Sequence, residues 1–271
     1  MTHIEVLFTS APDELKDILI ALLSRLNYDG FEEIDGDLKG YIEASVFNKE
    51  LLDELASSLD ISYSVTHIPE RNWNNSWESN FLPVLVHDFC SVRADFHPPV
   101  KNVKYDIVIT PKMSFGTGHH ATTLMMMQQM EHINFNGKTV LDFGTGTGVL
   151  AILAKKSGAD KVIALDNDDW SILNAEENFS RNDVKNIVLN KADCPPQGER
   201  FDIILANITR NVILENFSFL RAGIKDKGTL LLSGLLKEDA SYMLEKAAEY
   251  GFVPDKQLLH LNWISLRFTT L

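Results

Sequence analysis

The sharpest chemical signal in the chain is the run Asp142-Phe143-Gly144-Thr145-Gly146-Thr147-Gly148. It closes the apolar run Thr139 to Phe143, which reads as a strand, and opens a segment that reads as a helix. Glycines at such a junction let the backbone turn tightly and let a ligand approach the helix N-terminus. Two cofactor classes use loops of this kind. The dinucleotide fingerprint G-x-G-x-x-G fails, because counting from Gly144 its last glycine position holds Val149. The spacing is instead D-x-G-x-G-x-G, with Asp142 two residues before the first glycine. No pyrophosphate need be cradled there, and a carboxylate at that position suits a cationic cofactor with an amino-acid ammonium group. S-adenosylmethionine is such a cofactor, which makes Asp142, Gly144 and Gly146 candidate binding residues.

Other chemistry-bearing residues fall at the ends of later strands. Val162-Ile163-Ala164-Leu165-Asp166 ends in a carboxylate where a doubly wound nucleotide binder meets ribose hydroxyls. Asp168 reads as the N-cap of the next helix. Asp193, after the third strand, is placed to accept the adenine amine or to serve as a turn residue. Ile203 to Asn207 delivers an amide to the same edge, as a site residue or as a helix cap. Upstream, Pro111 to Thr123 joins glycines, hydroxyls and the pair His119-His120 ahead of a Met-rich helix. Adjacent histidines point in different directions and have no HExxH or cysteine partner, so no metal site is expected. Met125, Met126, Met127 and Met130 read as core.

The elements that must hold these residues divide the chain. Strand, helix, hairpin, helix and strand over residues 1–68 give the βαββαβ order of a ferredoxin-like α+β domain. In its first helix Leu15, Ile18, Leu19, Leu22, Leu23 and Leu26 share one face. The hairpin is expected from Phe31 to Ile34 and Gly40 to Val46, around Asp35-Gly36-Asp37. Asn48 caps the second helix. Residues 69–80 read as a linker helix in which Trp73 and Trp77 stand four apart, a spacing that packing alone explains. Residues 81–271 carry two strand-like stretches, Leu82 to Phe96 and Tyr105 to Thr110, and then alternate strand and helix. That alternation specifies a Rossmann-like parallel sheet covered on both faces. Leu258 to Thr269, around Trp263, is expected to close its far edge as an antiparallel pair.

Composition narrows the function. The 25 basic and 38 acidic residues leave a net charge of −13. Such a balance argues against sequence-specific nucleic-acid binding and against an anionic membrane, and suits either a basic partner or mere solubility. Cys90 and Cys194 have no disulfide or zinc spacing, and no targeting or membrane-spanning stretch is evident, so a cytoplasmic protein is expected.

Taken together, the tryptophan-bearing linker, Phe115-Gly116-Thr117-Gly118 with Thr122-Thr123, the Val140-Leu141-Asp142-Phe143-Gly144 loop and Ala206-Asn207-Ile208 make the sequence resemble the ribosomal protein L11 methyltransferases (PrmA type) over nearly its whole length. The resemblance implies a class I S-adenosylmethionine-dependent methyltransferase domain, with Thr123, Gly144, Asp166 and Asn207 contacting the cofactor. It places the loop Phe115, Gly116, Thr117, Gly118, His119, His120 beside the reacting groups. It implies an N-terminal domain that grips the ribosomal protein and a linker that presents several amines, with lysine ε-amines and the N-terminal α-amine as acceptors, often trimethylated. Asn207 is the candidate that aims the amine, and His119 and His120 are candidate proton relays. The chain departs from the family at His119, Ala121 and Thr145, where threonine, proline and cysteine are common. It departs also at Thr209 and Arg210. Competing readings are another acceptor, disfavoured because Asn207-Ile208-Thr209-Arg210 replaces the Asn-Pro-Pro-aromatic tetrad of planar acceptors, and a non-catalytic ribosome-associated module. A two-domain plan with hinge motion leads to the expectation of a monomer.

Overall fold

The computed structural model describes residues 3–9, 12–34, 36–68, 81–112 and 114–270. Asp35, Met113 and the 69–80 segment with Trp73 and Trp77 lie outside the described residues. The chain forms two compact units, residues 1–80 and 81–271.

In the first unit the order is β1 (His3–Phe8), α1 (Asp13–Arg25), β2 (Gly30–Ile34), β3 (Asp37–Glu43), α2 (Lys49–Ser58) and β4 (Tyr63–Ile68). The strands form one sheet in the order β2-β3-β1-β4, with every neighbouring pair antiparallel. Period-two alternation buries Ile4, Val6 and Phe8 of β1 against Leu19 and Leu23 of α1 and Leu52 of α2. Asn48 caps α2, its side chain accepting from the Glu50 and Leu51 amides at 3.0 and 3.2 Å. The second hairpin strand starts earlier and ends earlier than the sequence pattern suggests, at Glu43 rather than Val46, because Leu38 and Ile42 are the residues that fill the core.

The second unit begins with a small sheet of β5 (Val84–Val86), β6 (Cys90–Ala94) and β7 (Tyr105–Ile109). The single run expected from Leu82 to Phe96 is broken at His87, whose φ of 45° turns the chain between β5 and β6. Helix α3 (Ala121–Met130) follows, with Met125, Met126, Met127 and Met130 buried. Next come β8 (Thr139–Phe143), α4 (Val149–Lys156), β9 (Lys161–Asp166), α5 (Asp169–Arg181), β10 (Ile187–Lys191), β11 (Phe201–Asn207), α6 (Arg210–Gly223) and β12 (Ile224–Leu236). A 3₁₀ turn, α7 (Ala240–Glu249), β13 (Phe252–His260) and β14 (Trp263–Thr270) complete the unit.

The large sheet has the order β10-β9-β8-β11-β12-β14-β13. Its first five strands are parallel, and β14 runs antiparallel between β12 and β13. Strand order reverses at β8 and β11, so a crevice opens at their carboxyl ends, the usual ligand position in open α/β sheets. Buried apolar side chains cover both faces, as the near-continuous apolar strands require. Among the described residues no helix is long and apolar enough to cross a membrane.

A polar ladder ties the small sheet to the large one. Asn174 and Asn178 of α5 and its C-cap Asn182 fall four apart and are buried. Asn182 exchanges hydrogen bonds with the backbone of Val108, at 2.9 and 2.6 Å, and the Asn178 carbonyl accepts from Thr110 N at 2.8 Å. These amides satisfy β7 along an edge that has no neighbouring strand. Asn178 Nδ2 also donates to the Thr147 carbonyl, at 2.8 Å, and so reaches the glycine loop. Asn178→Ala leaves several of these groups unpaired. It is expected to cost about 3 kcal/mol, read as a lower urea midpoint at unchanged slope.

Candidate functional site

The glycine loop between β8 and α4 uses its own amides. Gly144 N and Thr145 N both donate to the Leu165 carbonyl at 2.8 Å, Gly146 N to Asp166 Oδ2 at 2.8 Å, Thr147 N to the Phe115 carbonyl at 2.9 Å, and Gly148 N to the Thr145 carbonyl at 2.8 Å. No loop amide from Gly144 to Gly148 is left to cradle a phosphate, which removes the physical basis for pyrophosphate binding.

Close approach, as much as chain direction, explains the glycines. A Cβ on Gly146 would lie 2.3 Å from the Phe115 carbonyl oxygen, and one on Gly144 would lie 2.1 Å from Ile208 Cγ2. A third glycine, Gly234 in β12, faces the same residue from the other side, its Cβ position lying 2.2 Å from the Ile208 carbonyl oxygen. All three have positive φ. Ile208 is thereby held between two strand ends, and the preceding residue, Asn207, is fixed with it.

Asn207 ends β11 and is 9 % exposed. Its Nδ2 donates to Thr123 Oγ1 at 3.1 Å, while its Oδ1 is buried with no partner. Helix α6 starts at Arg210 with Thr209 as N-cap, so Asn207 does not cap it. A buried carbonyl oxygen without a donor is costly unless a ligand supplies one.

Asn207 lines a cavity of about 420 Å³ together with Phe115, His120, Gly144, Gly146, Asp166 and Asp193. The volume lies within the usual range for small-molecule sites, about 300 to 1,000 Å³. Asp166 accepts from Gly146 N and, at 3.1 Å, from Asp168 N, so a carboxylate with about four acceptor positions keeps two for a ligand. Asp168 caps α5 through Ser171 N at 2.9 Å.

The remaining sequence candidates sit behind or beside the cavity. Thr123 is fully buried behind Asn207. Gly116 and Thr117 shape the loop: the Gly116 carbonyl accepts from Thr147 Oγ1 at 2.6 Å, and Thr117 Oγ1 meets His119 Nδ1 at 3.1 Å. His119 is not on the cavity wall. Its Nε2 lies 2.8 Å from the Leu82 carbonyl and its ring 4.4 Å from that of Phe81. His120 is on the wall, and its Nδ1 accepts from the Thr122 amide as the N-cap of α3. Asn167, Ile208, Gly234 and Trp263 also line the cavity and were not singled out from sequence. Asn167 and Ile208 adjoin strand-end candidates, but Gly234 and Trp263 reach the site only through pairing of β12 with β14. Among the described residues no group of three or more His, Cys, Asp or Glu side chains is arranged to hold a metal ion.

Asp142 lies beneath the loop, fully buried and off the cavity wall. Its Oδ2 accepts from Thr145 Oγ1 at 2.6 Å and from Ala151 N at 3.1 Å, and its Oδ1 has no partner. Loss of hydration on burial pushes this carboxyl up to about 7, against the lowering effect of those two hydrogen bonds and with Asp166 adding to the rise. The fold thus binds this proton more tightly than the unfolded chain does. The associated stability is fully present below the ordinary value of 3.8 and lost as pH rises through about 7.

Fold and site define the class: residues 81–271 form a class I S-adenosylmethionine-dependent methyltransferase domain. A family model described as ribosomal protein L11 methyltransferase (PrmA) matches residues 24–270. The chain belongs to that family. A ribosomal protein L11 methyltransferase of Porphyromonas gingivalis is 40% identical over 96% of this chain and 94% of its own length. One of Phocaeicola vulgatus is 34% identical over 99% of both. The crystal structure of a ribosomal protein L11 methylase from Lactobacillus delbrueckii subsp. bulgaricus superposes with a TM-score of 0.65 at 29% identity, covering 69% of this chain and 98% of that one.

Replacing Asp142 with asparagine removes the titration while keeping an acceptor for Thr145 and Ala151. In ligand-free thermal melts the variant is expected to exceed the parent by several degrees at pH 8, with the gap narrowing toward pH 4. An equal gap at all pH values would refute the buried-carboxylate account.

Proposed function

We propose that the chain transfers methyl groups from S-adenosylmethionine to amines of ribosomal protein L11, both lysine ε-amines and the N-terminal α-amine. The observation that carries this reading is the buried, donorless Oδ1 of Asn207 on the wall of a methyltransferase cavity. An amine N–H is the donor that this oxygen lacks.

S-adenosylmethionine, when bound, supplies a sulfonium methyl group. The residues fit it: Asp166 and Asp193 offer acceptors at the ends of β9 and β10 for ribose hydroxyls and the adenine amine, and the loop offers no phosphate cradle. The acceptor must arrive as a neutral amine, since a protonated one has no lone pair. A lysine ammonium, with a reference pKa of about 10.4, loses its proton more readily on entering a partly buried cavity. Asn207 Oδ1 accepts one N–H and so fixes where the lone pair points, and Thr123 keeps the amide from rotating.

Residues 1–68 form the recognition domain in this reading, with 69–80 as linker and 81–271 as catalytic domain. The recognition segment holds 14 acidic and 4 basic residues, most of the net charge of the chain, which suits a basic ribosomal protein as partner. The enzyme acts as a monomer in the cytoplasm, where that substrate is made.

Intact-mass spectrometry of unmodified ribosomal protein L11, incubated with this protein and S-adenosylmethionine, is expected to show mass gains in methyl steps. Asn207→Ala is expected to slow the first step about 100-fold while calorimetry still detects cofactor binding. Full turnover in that variant, or loss of cofactor binding along with turnover, would overturn the aiming role.

A further inference from the structure

Residues 114–120 belong to no helix or strand, yet they bear directly on the glycine loop. The Phe115 carbonyl accepts from Thr147 N at 2.9 Å and the Gly116 carbonyl from Thr147 Oγ1 at 2.6 Å. Gly116 and Gly118 both have positive φ, so the backbone changes direction at each of them. Such a segment has no ladder of its own to hold it, and its place depends on side-chain ties. Just before it Lys112 pairs with Glu177 of α5. At its far end the tie is His119.

His119 is exposed and stands off the cavity wall. Its Nε2 lies 2.8 Å from the Leu82 carbonyl oxygen, which can only accept, so this nitrogen carries the hydrogen and donates. In the neutral ring Nδ1 is then the acceptor, and the Thr117 hydroxyl lies 3.1 Å from it. The ring also packs on Phe81, with centres 4.4 Å apart, and Phe81 meets the rings of Phe96 and His97 at 6.3 Å each. Phe81 and Leu82 open the second unit. One imidazole therefore joins the entry of the chain into this unit to the loop that braces Thr147.

We propose that His119 is a positioning residue: by donating to the Leu82 carbonyl it fixes the loop against the glycine loop before the cofactor arrives. The inference rests on S-adenosylmethionine as the ligand of the cavity. The contacts run from Leu82 through His119 and Thr117 to the Gly116 and Phe115 carbonyls, and from these to Thr147. A loose loop must be ordered by the ligand, and that cost is drawn from the binding energy. A tie made in the empty protein lowers it. The effect falls on cofactor affinity more than on methyl transfer, because a bound cofactor orders the loop in either case. An exposed side chain adds little to the core, so this role is separable from stability.

Three variants take the tie apart. His119→Ala removes all of it, His119→Gln keeps a side-chain N–H at about the reach of Nε2, and His119→Phe keeps only the ring. Hydrogen exchange of the Thr147 amide in ligand-free protein reports the hold of the Phe115 carbonyl. In His119→Ala that amide is expected to exchange about fivefold faster, and S-adenosylhomocysteine, titrated calorimetrically, to bind about fivefold more weakly. In turnover with ribosomal protein L11 the loss is expected in the KM for S-adenosylmethionine rather than in kcat. His119→Gln is expected to recover most of each change and His119→Phe little. Parent-like exchange and affinity in His119→Ala overturn the proposal. So does His119→Phe matching His119→Gln, which assigns the hold to ring packing alone, and so does a fall in kcat at unchanged KM, which places His119 among the reacting groups. Should His119→Ala not fold, the glutamine and phenylalanine variants decide by the same measures. If the parent protein binds no S-adenosylhomocysteine, the cofactor reading fails instead, and Thr147 exchange still decides whether His119 holds the loop.

Discussion

The carboxyl ends of β8, β11 and β12 meet at Ile208, and no side chain fits between them. Gly144 faces the Ile208 side chain and Gly234 faces its carbonyl, each at a distance that a Cβ cannot occupy. The clamp sets the height of Asn207 above the sheet, and Thr123 then sets its rotation. Everything that can act on a ligand is referred to this point. The glycine loop lies on one side of it, the aromatic wall on the other, and the cavity between. An enzyme that must align a nucleophile with an electrophile gains most of its advantage from such rigidity, because misplacement by about 1 Å can cost two orders of magnitude.

Asp142 shows the opposing cost. A carboxyl fully buried under the loop, with one oxygen unpartnered, is an unfavourable element of the resting fold. Thr145 donates a hydroxyl at 2.6 Å and lessens that cost. Ala151 N ties the same oxygen to the first turns of α4, so the carboxyl fastens β8 to the helix across the loop. Asp166 is close enough to raise the cost of charge on Asp142.

The strand-end chemistry was readable from sequence because it is local. Asp166 and Asn207 each end a short apolar run, which marks the edge of a parallel sheet, and Asp193 stands two residues beyond the end of β10. The D-x-G-x-G-x-G spacing likewise departs from a dinucleotide loop, and the amides of Gly144 to Gly148 are hydrogen-bonded within the protein. What stayed hidden is long-range. Asn174, Asn178 and Asn182 look like polar residues on an amphipathic helix, yet they are buried and replace a missing strand beside β7. Trp263 looks like an edge-strand aromatic, and only the insertion of β14 between β12 and β13 carries it to the cavity. The pair His119-His120 could not be separated by type. Packing separates them, one ring turning to Leu82 and Phe81 and the other to Phe115 and Trp263.

That separation decides which histidine can meet a ligand. His120 Nδ1 accepts from the Thr122 amide and lies 2.7 Å from Thr122 Oγ1, so its ring is tied to the first turn of α3, the helix that also carries Thr123. His119 is engaged away from the cavity altogether. The cavity thus joins an aromatic side built from His120 and Trp263 to a carboxylate side built from Asp166 and Asp193, two surfaces that the sheet order alone brings together.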